Sequence, residues 1–364
     1  MPSTHQRPAA AAAAITFLAL VAGTASVPTA EAAGRVSTKF GATSWPASPA
    51  TYGTQAYVNG KIKSRQRAQR VVVLQMKLPS GWKQVDRDKT NNRGRYHLVA
   101  KTNWYHKLLQ LRVVVQPTRR AAGKTGKGHG FVVNPEYAPA GTAGKWARIA
   151  PGYRVQFNPC APVRWRINTQ YAPAGVEAEV RTAMDQLKKT TGIRFKYVGT
   201  TSAIPGSNRR WPKNTNLVVA WASPDQTGWD LSGDVIGRGG QIQTHYARTG
   251  NGKRAYAITR SGLVLDNTFA APPGFVGPNA RGSIIVHELG HVVGLGHTDE
   301  AQQQMYPSAE NLGAGVYQAG DLTGLRHVGL MTGCLRNTTR SGRALPSFVP
   351  APEAVRAWDP RSAG

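Results

Sequence analysis

One segment of the chain, residues 283–297, constrains the fold more than any other. It reads Ser-Ile-Ile-Val-His-Glu-Leu-Gly-His-Val-Val-Gly-Leu-Gly-His. Residues four apart lie on one face of an α-helix, so a helix here would present the imidazoles of His287 and His291 to the same point. The apolar run before His287 gives such a helix a side that can be buried. The segment therefore predicts a buried helix with two histidines on one face.

Gly294 and His297 suggest how a third ligand joins this pair. Glycine adopts positive φ without strain, so Gly294 can end the helix and turn the chain until His297 faces the same ion. Three neutral imidazoles leave a zinc ion one open position for water, whereas structural zinc sites fill all four positions, usually with cysteine. The pattern predicts one catalytic zinc ion held by His287, His291 and His297.

Glu288 is the only acid in this segment placed to accept a proton from water beside the metal and to deliver it to a leaving amine. The chemistry predicted is hydrolysis with Glu288 as general base and general acid, without a serine or cysteine nucleophile. The alternative is an ordinary buried helix with incidental histidines. The added Gly294 and His297 make that alternative the weaker one.

The spacing H-E-x-x-H-x-x-G-x-x-H resembles the zinc-binding consensus of the metzincin peptidases. Met305, Tyr306 and Pro307 resemble the methionine turn of the matrixin branch, in which the methionine is an apolar floor under the metal. The resemblance covers about residues 145–335 and implies an α+β catalytic domain with a twisted sheet, a long backing helix and an active-site helix. It also implies that Asp321 ties the last helix to the methionine turn, whereas without it Asp321 would be a helix N-cap.

The chain departs from related branches at two positions. The adamalysin branch has Asp directly after the third histidine, whereas Asp299 comes one position later and is interpreted as a surface loop residue. Tyr306 does not match the tyrosine ligand of the astacin branch and is a weak ligand candidate. No His and Asp cluster like that of the animal matrixins precedes the helix, so we predict no second zinc ion. Calcium stays open as a cofactor without a supporting motif.

Residues 237–247 fall where metzincins keep the edge strand that pairs with an extended substrate. An exposed strand edge suits peptide capture because its amides are already oriented. Three glycines weaken any strand in this segment, and a plain loop is the alternative.

Cys160 and Cys334 are the two cysteines of the chain. An even number in an exported protein favours a disulfide, and two free thiols are the alternative. The latency cysteine of the matrixins has no close match. Residues 158–162, Asn-Pro-Cys-Ala-Pro, resemble its segment distantly, so a Cys160 thiolate that caps the zinc is a further alternative.

Residues 1–33 combine Arg7, an apolar run and small residues at their end, which predicts a cleaved signal peptide and a secreted protein. An uncleaved membrane anchor is the alternative. No later segment is apolar enough to cross a bilayer, so we expect no stable membrane span after cleavage.

The rest of the chain divides by pattern. Residues 34–134 hold short runs rich in Val, Tyr and Leu between turn residues, which predicts an all-β sandwich similar to the immunoglobulin-like modules of exported bacterial proteins. Residues 135–145 are interpreted as a linker and residues 146–335 as the catalytic domain. Residues 336–364, with five Arg and four Pro, are interpreted as a flexible tail.

The formal charge of +28 is concentrated at the front of the chain. Residues 34–140 hold 20 Lys and Arg against 3 Asp and Glu, whereas residues 141–335 hold 20 against 12. Such a surface attracts polyanions such as cell-wall polymers, although solubility alone would explain it; no motif predicts a specific nucleic acid. Two hypotheses follow: an extracellular endopeptidase acting on proteins or peptides, or a wall- or polyanion-binding protein whose metallopeptidase unit is secondary or acts on wall peptides.

Overall fold

The computed structural model describes residues 34–309, 315–337 and 349–357. The predicted signal peptide lies outside the described residues. Within the described residues, strands make up 38% and helices 14%, with four sheets and three α-helices. The fold class expected from the resemblance, an α+β catalytic domain with a long backing helix, is therefore wrong, because the protein is mostly β.

The α-helices are α1 (Val176–Thr191), α2 (Arg281–Val293) and α3 (Ala319–Arg326). The strands of the first part of the chain are β1 (Lys39–Ser44), β2 (Ala50–Thr51), β3 (Gln55–Lys63), β4 (Val71–Leu78), β5 (Gly81–Lys89), β6 (Arg95–Lys101), β7 (His106–Val115), β8 (Lys124–Thr125) and β9 (His129–Asn134). Those that follow are β10 (Ala147–Arg148), β11 (Val155–Gln156), β12 (Val163–Ile167), β13 (Phe195–Thr200), β14 (Leu217–Ala222), β15 (Val235–Arg248), β16 (Arg254–Asp266), β17 (Leu295–Gly296), β18 (Arg336–Asn337) and β19 (Glu353–Arg356).

Residues 36–134, called the front region below, form two sheets. One has the strand order β1-β3-β6, and the other has the order β2-β9-β7-β4-β5 with β8 beside β7. Along β6 buried and exposed residues alternate, as expected for a strand with one face on a core. Inward side chains of both sheets, such as Val58, Leu98 and Leu111, join in one apolar cluster, which is the arrangement of two sheets packed face to face.

Residues 145–357, called the rear region below, contain an eight-stranded sheet. Its main order is β13-β12-β14-β16-β15-β18, with β11 beside β16 and β19 beside β15. The central strand β14, Leu-Val-Val-Ala-Trp-Ala, is buried along its whole length, as is usual for a strand covered on both faces. Helix α1 packs on α2, and Arg281 Nε donates to Glu179 Oε2 at 2.7 Å between them.

The error in fold class lies mainly in the segment that precedes α2. Its many Gly and Pro residues indicated weak strands or a loop, yet β15 and β16 form an antiparallel hairpin of 14 and 13 residues. Glycine lowers strand propensity because it has no side chain to pack. Here the neighbouring strand and the helix α2 supply enough backbone pairing and burial to outweigh that cost.

The part of the tail that the structure describes also differs from expectation. Strand β18 pairs with the end of β15 at Ala247 and Arg248, and β19 pairs antiparallel with the start of β15. We expected no regular structure after residue 335 because the tail lacks periodicity. A short strand can form without a periodic sequence if the edge of a long strand is available for it to pair with.

Two kinds of link join distant parts of the chain. The expected disulfide between Cys160 and Cys334 is present and spans 174 residues. The front region contacts α1, since Tyr105 N donates to Lys189 O at 2.7 Å. None of the helices in the described residues combines the length and apolar character needed to cross a bilayer.

Candidate functional site

Helix α2 carries the first two histidines into the interior. All of its residues from Arg281 to Val293 are buried, including His287, Glu288 and His291. The i and i+4 spacing puts both imidazoles on one face, as the sequence predicted. The helix ends where expected, with Gly294 at φ 114°.

Gly294 is required at this turn for two reasons. Its positive φ strains any residue with a side chain. A Cβ at this position would also lie 2.2 Å from Val155 O. After the turn, β17 pairs with β10, and this pairing directs the chain so that His297 returns to the helix.

The three histidines converge through their Nε2 atoms. These atoms lie 2.9 Å apart between His287 and His291, 3.1 Å between His291 and His297, and 3.2 Å between His287 and His297. No other group of three His, Cys, Asp or Glu side chains in the described ranges comes close enough to share a metal ion. The triad is close enough to hold one.

The outer nitrogens of the rings determine which way the inner ones face. His287 Nδ1 lies 2.7 Å from Gln304 O, and His291 Nδ1 lies 2.9 Å from Leu295 O. Because a carbonyl oxygen only accepts, each Nδ1 must carry the proton and each Nε2 a lone pair. Two lone pairs that face each other at 2.9 Å repel unless a cation lies between them.

The third ring follows the same pattern with a different partner. His297 Nδ1 lies 3.2 Å from Glu353 Oε2, a carboxylate of the tail. Ligand histidines commonly donate their outer N–H to a carboxylate or a carbonyl, which orients the ring. All three rings therefore have an outer acceptor and an inner nitrogen free for a cation.

Burial keeps the two helical histidines neutral. It lowers the pKa of His287 to about 3, with a further lowering from His297, and it lowers the pKa of His291 well below its usual range. Neutral imidazole is the form that binds metal.

Glu288 lies beside the triad with one carboxylate oxygen in use. Its Oε1 accepts a hydrogen bond from Val355 N at 3.2 Å, while Oε2 is buried and has no hydrogen-bond partner within the described residues. A buried carboxylate oxygen without a donor is costly, so it marks a place for a water or another polar group. Burial raises the pKa of Glu288 well above its usual range, and the N–H of Val355 opposes this.

Glycines of β15 allow the strand to lie against this carboxylate. A Cβ on Gly239 would lie 2.7 Å from Glu288 Oε2 and 2.4 Å from Glu288 O, and one on Gly237 would lie 3.1 Å from Glu288 Oε1. The glycines that weaken the strand on propensity are thus the residues that permit its close approach. Gln241, also on β15, donates from Nε2 to His291 O at 2.7 Å and holds the strand on α2.

Met305, Tyr306 and Pro307 follow the triad as a turn. Met305 is buried. If Gly290, which lies between His287 and His291 in the sequence, carried a Cβ, that atom would be 2.2 Å from Met305 Sδ. Met305 therefore packs directly on α2 at Gly290, next to His291. Tyr306 is half-buried, and Pro307 O accepts a hydrogen bond from Arg356 N at 2.9 Å.

Asp321 connects α3 to this turn. Its carboxylate accepts hydrogen bonds from the backbone N–H groups of Gln304 at 2.7 Å, Met305 at 3.2 Å and Gln318 at 2.8 Å. Burial raises the pKa of Asp321 to about 7, although these three donors favour its charged form. The contact implied by the resemblance is thus present, and the N-cap alternative is not, since Gln318 occupies that position.

The remaining residues named from the sequence lie outside the triad. Asp299 is exposed and pairs with Lys145 Nζ at 2.9 Å. Cys160 and Cys334 are bonded to each other, so neither thiolate is available to the triad.

Sequence reasoning missed Glu353, Val355, Gln241 and Gln304. The first two lie in a tail without periodicity, and the amide side chains carry no recognisable spacing. A Glu-Ala-Val-Arg stretch is too short to indicate a strand.

No protein-family model and no curated protein matches the chain. A solved structure of a marsupial T cell receptor is similar to 30% of this chain at 14% identity, with a TM-score of 0.21. The match spans 60% of that receptor chain, less than two thirds of its length, and so low a TM-score supports no conclusion on fold or function.

Proposed function

We propose that this chain is a secreted zinc-dependent endopeptidase of the metzincin type. His287, His291 and His297 would hold zinc, and Glu288 is its general base and general acid. The observation that carries the proposal is the convergence of three inner imidazole nitrogens beside a buried carboxylate oxygen that has no partner. The sequence motif and the methionine turn support the same reading.

The donor set and its dimensions fit zinc. Zinc–nitrogen bonds of about 2.0–2.1 Å at tetrahedral angles put ligand nitrogens about 3.3 Å apart. The separations of 2.9 to 3.2 Å need only a small outward shift of the rings. Three histidines without cysteine are typical of a catalytic zinc ion, which keeps one position open.

The residues of the chain supply the proton transfers. A zinc ion would supply a Lewis acid that polarises a peptide carbonyl and lowers the pKa of water. Glu288 accepts the proton of the attacking water at Oε2 and passes it to the leaving amide nitrogen. Val355 N lies 3.2 Å from Glu288 Oε1. This contact supports the proposal that a backbone nitrogen can reach the carboxylate.

Secretion is supported by two features of different kinds. The disulfide Cys160–Cys334 favours an oxidising compartment. The pattern of residues 1–33 is that of a signal peptide.

The peptidase proposal is tested by casein hydrolysis with three samples: the purified protein, the Glu288→Ala variant and the protein treated with a zinc chelator. We expect the variant to lose about 10²–10⁴-fold in rate, and we expect chelation to abolish activity until zinc is restored. Glu177→Ala, which removes an exposed carboxylate of α1, is the matched control and should retain full rate. Equal activity in all samples would contradict the proposal.

A second candidate function is binding to an anionic wall polymer. The positive charge of the front region supports it. Residues 34–140 have an excess of 17 positive charges, and Lys61, Lys63 and Arg65 are exposed on or beside β3. Such a surface concentrates polyanions by long-range attraction.

Retention of the full chain on an anionic wall polymer tests this candidate. Replacing Lys61, Lys63 and Arg65 by Gln should shift elution to lower salt, because fewer counterions are released on binding. A triple control in the rear region, at exposed Lys188, Arg194 and Lys196, should shift it less. Retention that does not depend on the salt concentration would contradict this candidate function.

A further inference from the structure

A segment of this chain already pairs with the strand edge beside Glu288. Strand β19 runs antiparallel to β15, with Val355 opposite Gly237. On its other side, Arg356 N donates to Pro307 O and Arg356 O accepts from Ala309 N, both at 2.9 Å. The segment is therefore held by backbone hydrogen bonds on both sides, as an extended peptide in a cleft would be.

The side chains of the segment are also accommodated. Val355 has 0% of its surface exposed and belongs to the same apolar cluster as Met305. Arg356 Nη1 lies 2.6 Å from Asp234 Oδ1 at the surface. An apolar pocket is thus followed by an acidic surface position along the bound segment.

The segment is in register with the reacting groups. Val355 N donates to Glu288 Oε1 at 3.2 Å, so a backbone nitrogen of the segment lies beside the proposed general acid. The preceding Glu353 reaches His297 Nδ1 at 3.2 Å. The nitrogen of the Ala354–Val355 peptide bond therefore lies beside the carboxylate proposed to act on a substrate.

We propose that residues 352–357 are a tethered peptide that occupies the substrate cleft and competes with other peptides for it. The cleft accordingly takes extended peptides in which a branched aliphatic residue, at the position of Val355, is followed by a basic one. The inference rests on the proposed peptidase function, but a measurement of peptide binding is enough to test it.

The tether sets the size of the competition. A segment joined through a short stretch of chain has an effective concentration on the order of millimolar. A free peptide that binds with a dissociation constant near 100 μM would then bind about tenfold more weakly to the intact protein than to one whose tail has left the cleft.

The experiment measures binding of a fluorescent peptide, Pro-Ala-Pro-Glu-Ala-Val-Arg-Ala, by anisotropy. Full-length protein is used with Glu288→Gln in every sample, so that the peptide is not consumed. Adding Val355→Asp places a charge in the apolar pocket and should expel the tail, which tightens peptide binding about tenfold. Ala351→Asp adds the same charge at an exposed position before β19 and should change nothing.

Two further samples keep the test decisive. If Val355→Asp does not fold by circular dichroism, Arg356→Glu replaces it, since this exposed residue would then repel Asp234. A peptide with Asp in place of Val should bind more weakly to every sample. Equal binding by the folded tail variant and its control, or equal binding of the two peptides, overturns the inference.

The outcome is separable from that of the peptidase test. Tighter binding by the tail variant without casein hydrolysis in the zinc-loaded wild type would retain the tethered peptide and reject the peptidase. Hydrolysis without any difference in binding would do the reverse.

Discussion

His106 in the front region and His291 in the rear region are both fully buried, yet their surroundings differ. The ring of His106 lies beside Trp104 and Phe131, and neither of its nitrogens has a hydrogen-bond partner in the described residues. The ring of His291 has an acceptor at Nδ1 and two further imidazole nitrogens near Nε2. Burial alone therefore does not mark a site; convergence of buried polar atoms from distant parts of the chain does.

The same contrast holds for the regions as a whole. Among the described strands of the front region, consecutive strands pair only as β4–β5 and β7–β8, and the cluster between the sheets is apolar. In the rear region the buried polar atoms of α2, β15, α3 and the tail meet at one place. The front region is organised as a core, and the rear region as a core with a cluster of buried polar groups.

Replacement of each buried histidine should break this comparison most directly. His291→Ala removes one of the three proposed ligands, so we expect zinc content to fall from about one ion per chain to none. His106→Ala should keep the metal, although it leaves a cavity. Metal analysis of both purified variants is the measurement, and zinc retained by His291→Ala would contradict the site.

Loss of the disulfide should have the second-largest effect, and this effect should fall on the rear region. The bond Cys160–Cys334 closes a loop of 174 residues, and removal of such a cross-link costs about 2–5 kcal/mol of stability. The double variant Cys160→Ser/Cys334→Ser should therefore unfold at lower denaturant concentration. Chemical denaturation followed by hydrogen exchange would check that the loss of protection begins in the rear region, and earlier loss in the front region would be inconsistent.

The pH dependence of stability should sharpen the contrast between the two histidines, because it reports on His106 in the front region. Burial lowers the pKa of His106 from 6.5 to about 4. The unfolded chain therefore binds more protons between these values, so the stability due to the neutral ring is complete above about pH 6.5 and is lost as pH falls toward 4. The loss is at most about 3.5 kcal/mol, since one pKa unit is about 1.4 kcal/mol.

The measurement is the free energy of unfolding of the wild type and of His106→Leu from pH 4 to 7. Other titrating groups are common to both proteins, so the difference between the two curves reports His106. Parallel curves would show that this histidine does not titrate as its burial implies.

The smallest expected effect is that of Asp321. Asp321→Asn replaces a carboxylate that accepts backbone N–H groups of the methionine turn, and Gln304 in that turn orients His287. Loss of such outer contacts typically costs 10–100-fold in metal affinity. Competition with a zinc indicator would measure it, and Asp299→Asn, in an exposed loop, is the control. Equal affinities would show that the turn does not need Asp321.

The tail limits what could be inferred about substrate access. From the sequence, residues 237–247 were either a substrate edge or a loop. The structure makes them a strand whose first half is paired with β19. Periodicity could not reveal this, because pairing across more than 100 residues leaves no local pattern.

By itself the sequence predicted that His287, His291 and His297 converge, with Glu288 beside them and a turn after them, because helical spacing and the conformational freedom of Gly294 are local properties. It also indicated the disulfide from the number of cysteines. Only the tertiary structure decided the mostly β architecture, the glycine contacts of β15 with Glu288 and the insertion of β19 beside it. Those features depend on backbone hydrogen bonds and close packing between segments far apart in the chain, and neither composition nor periodicity carries that information.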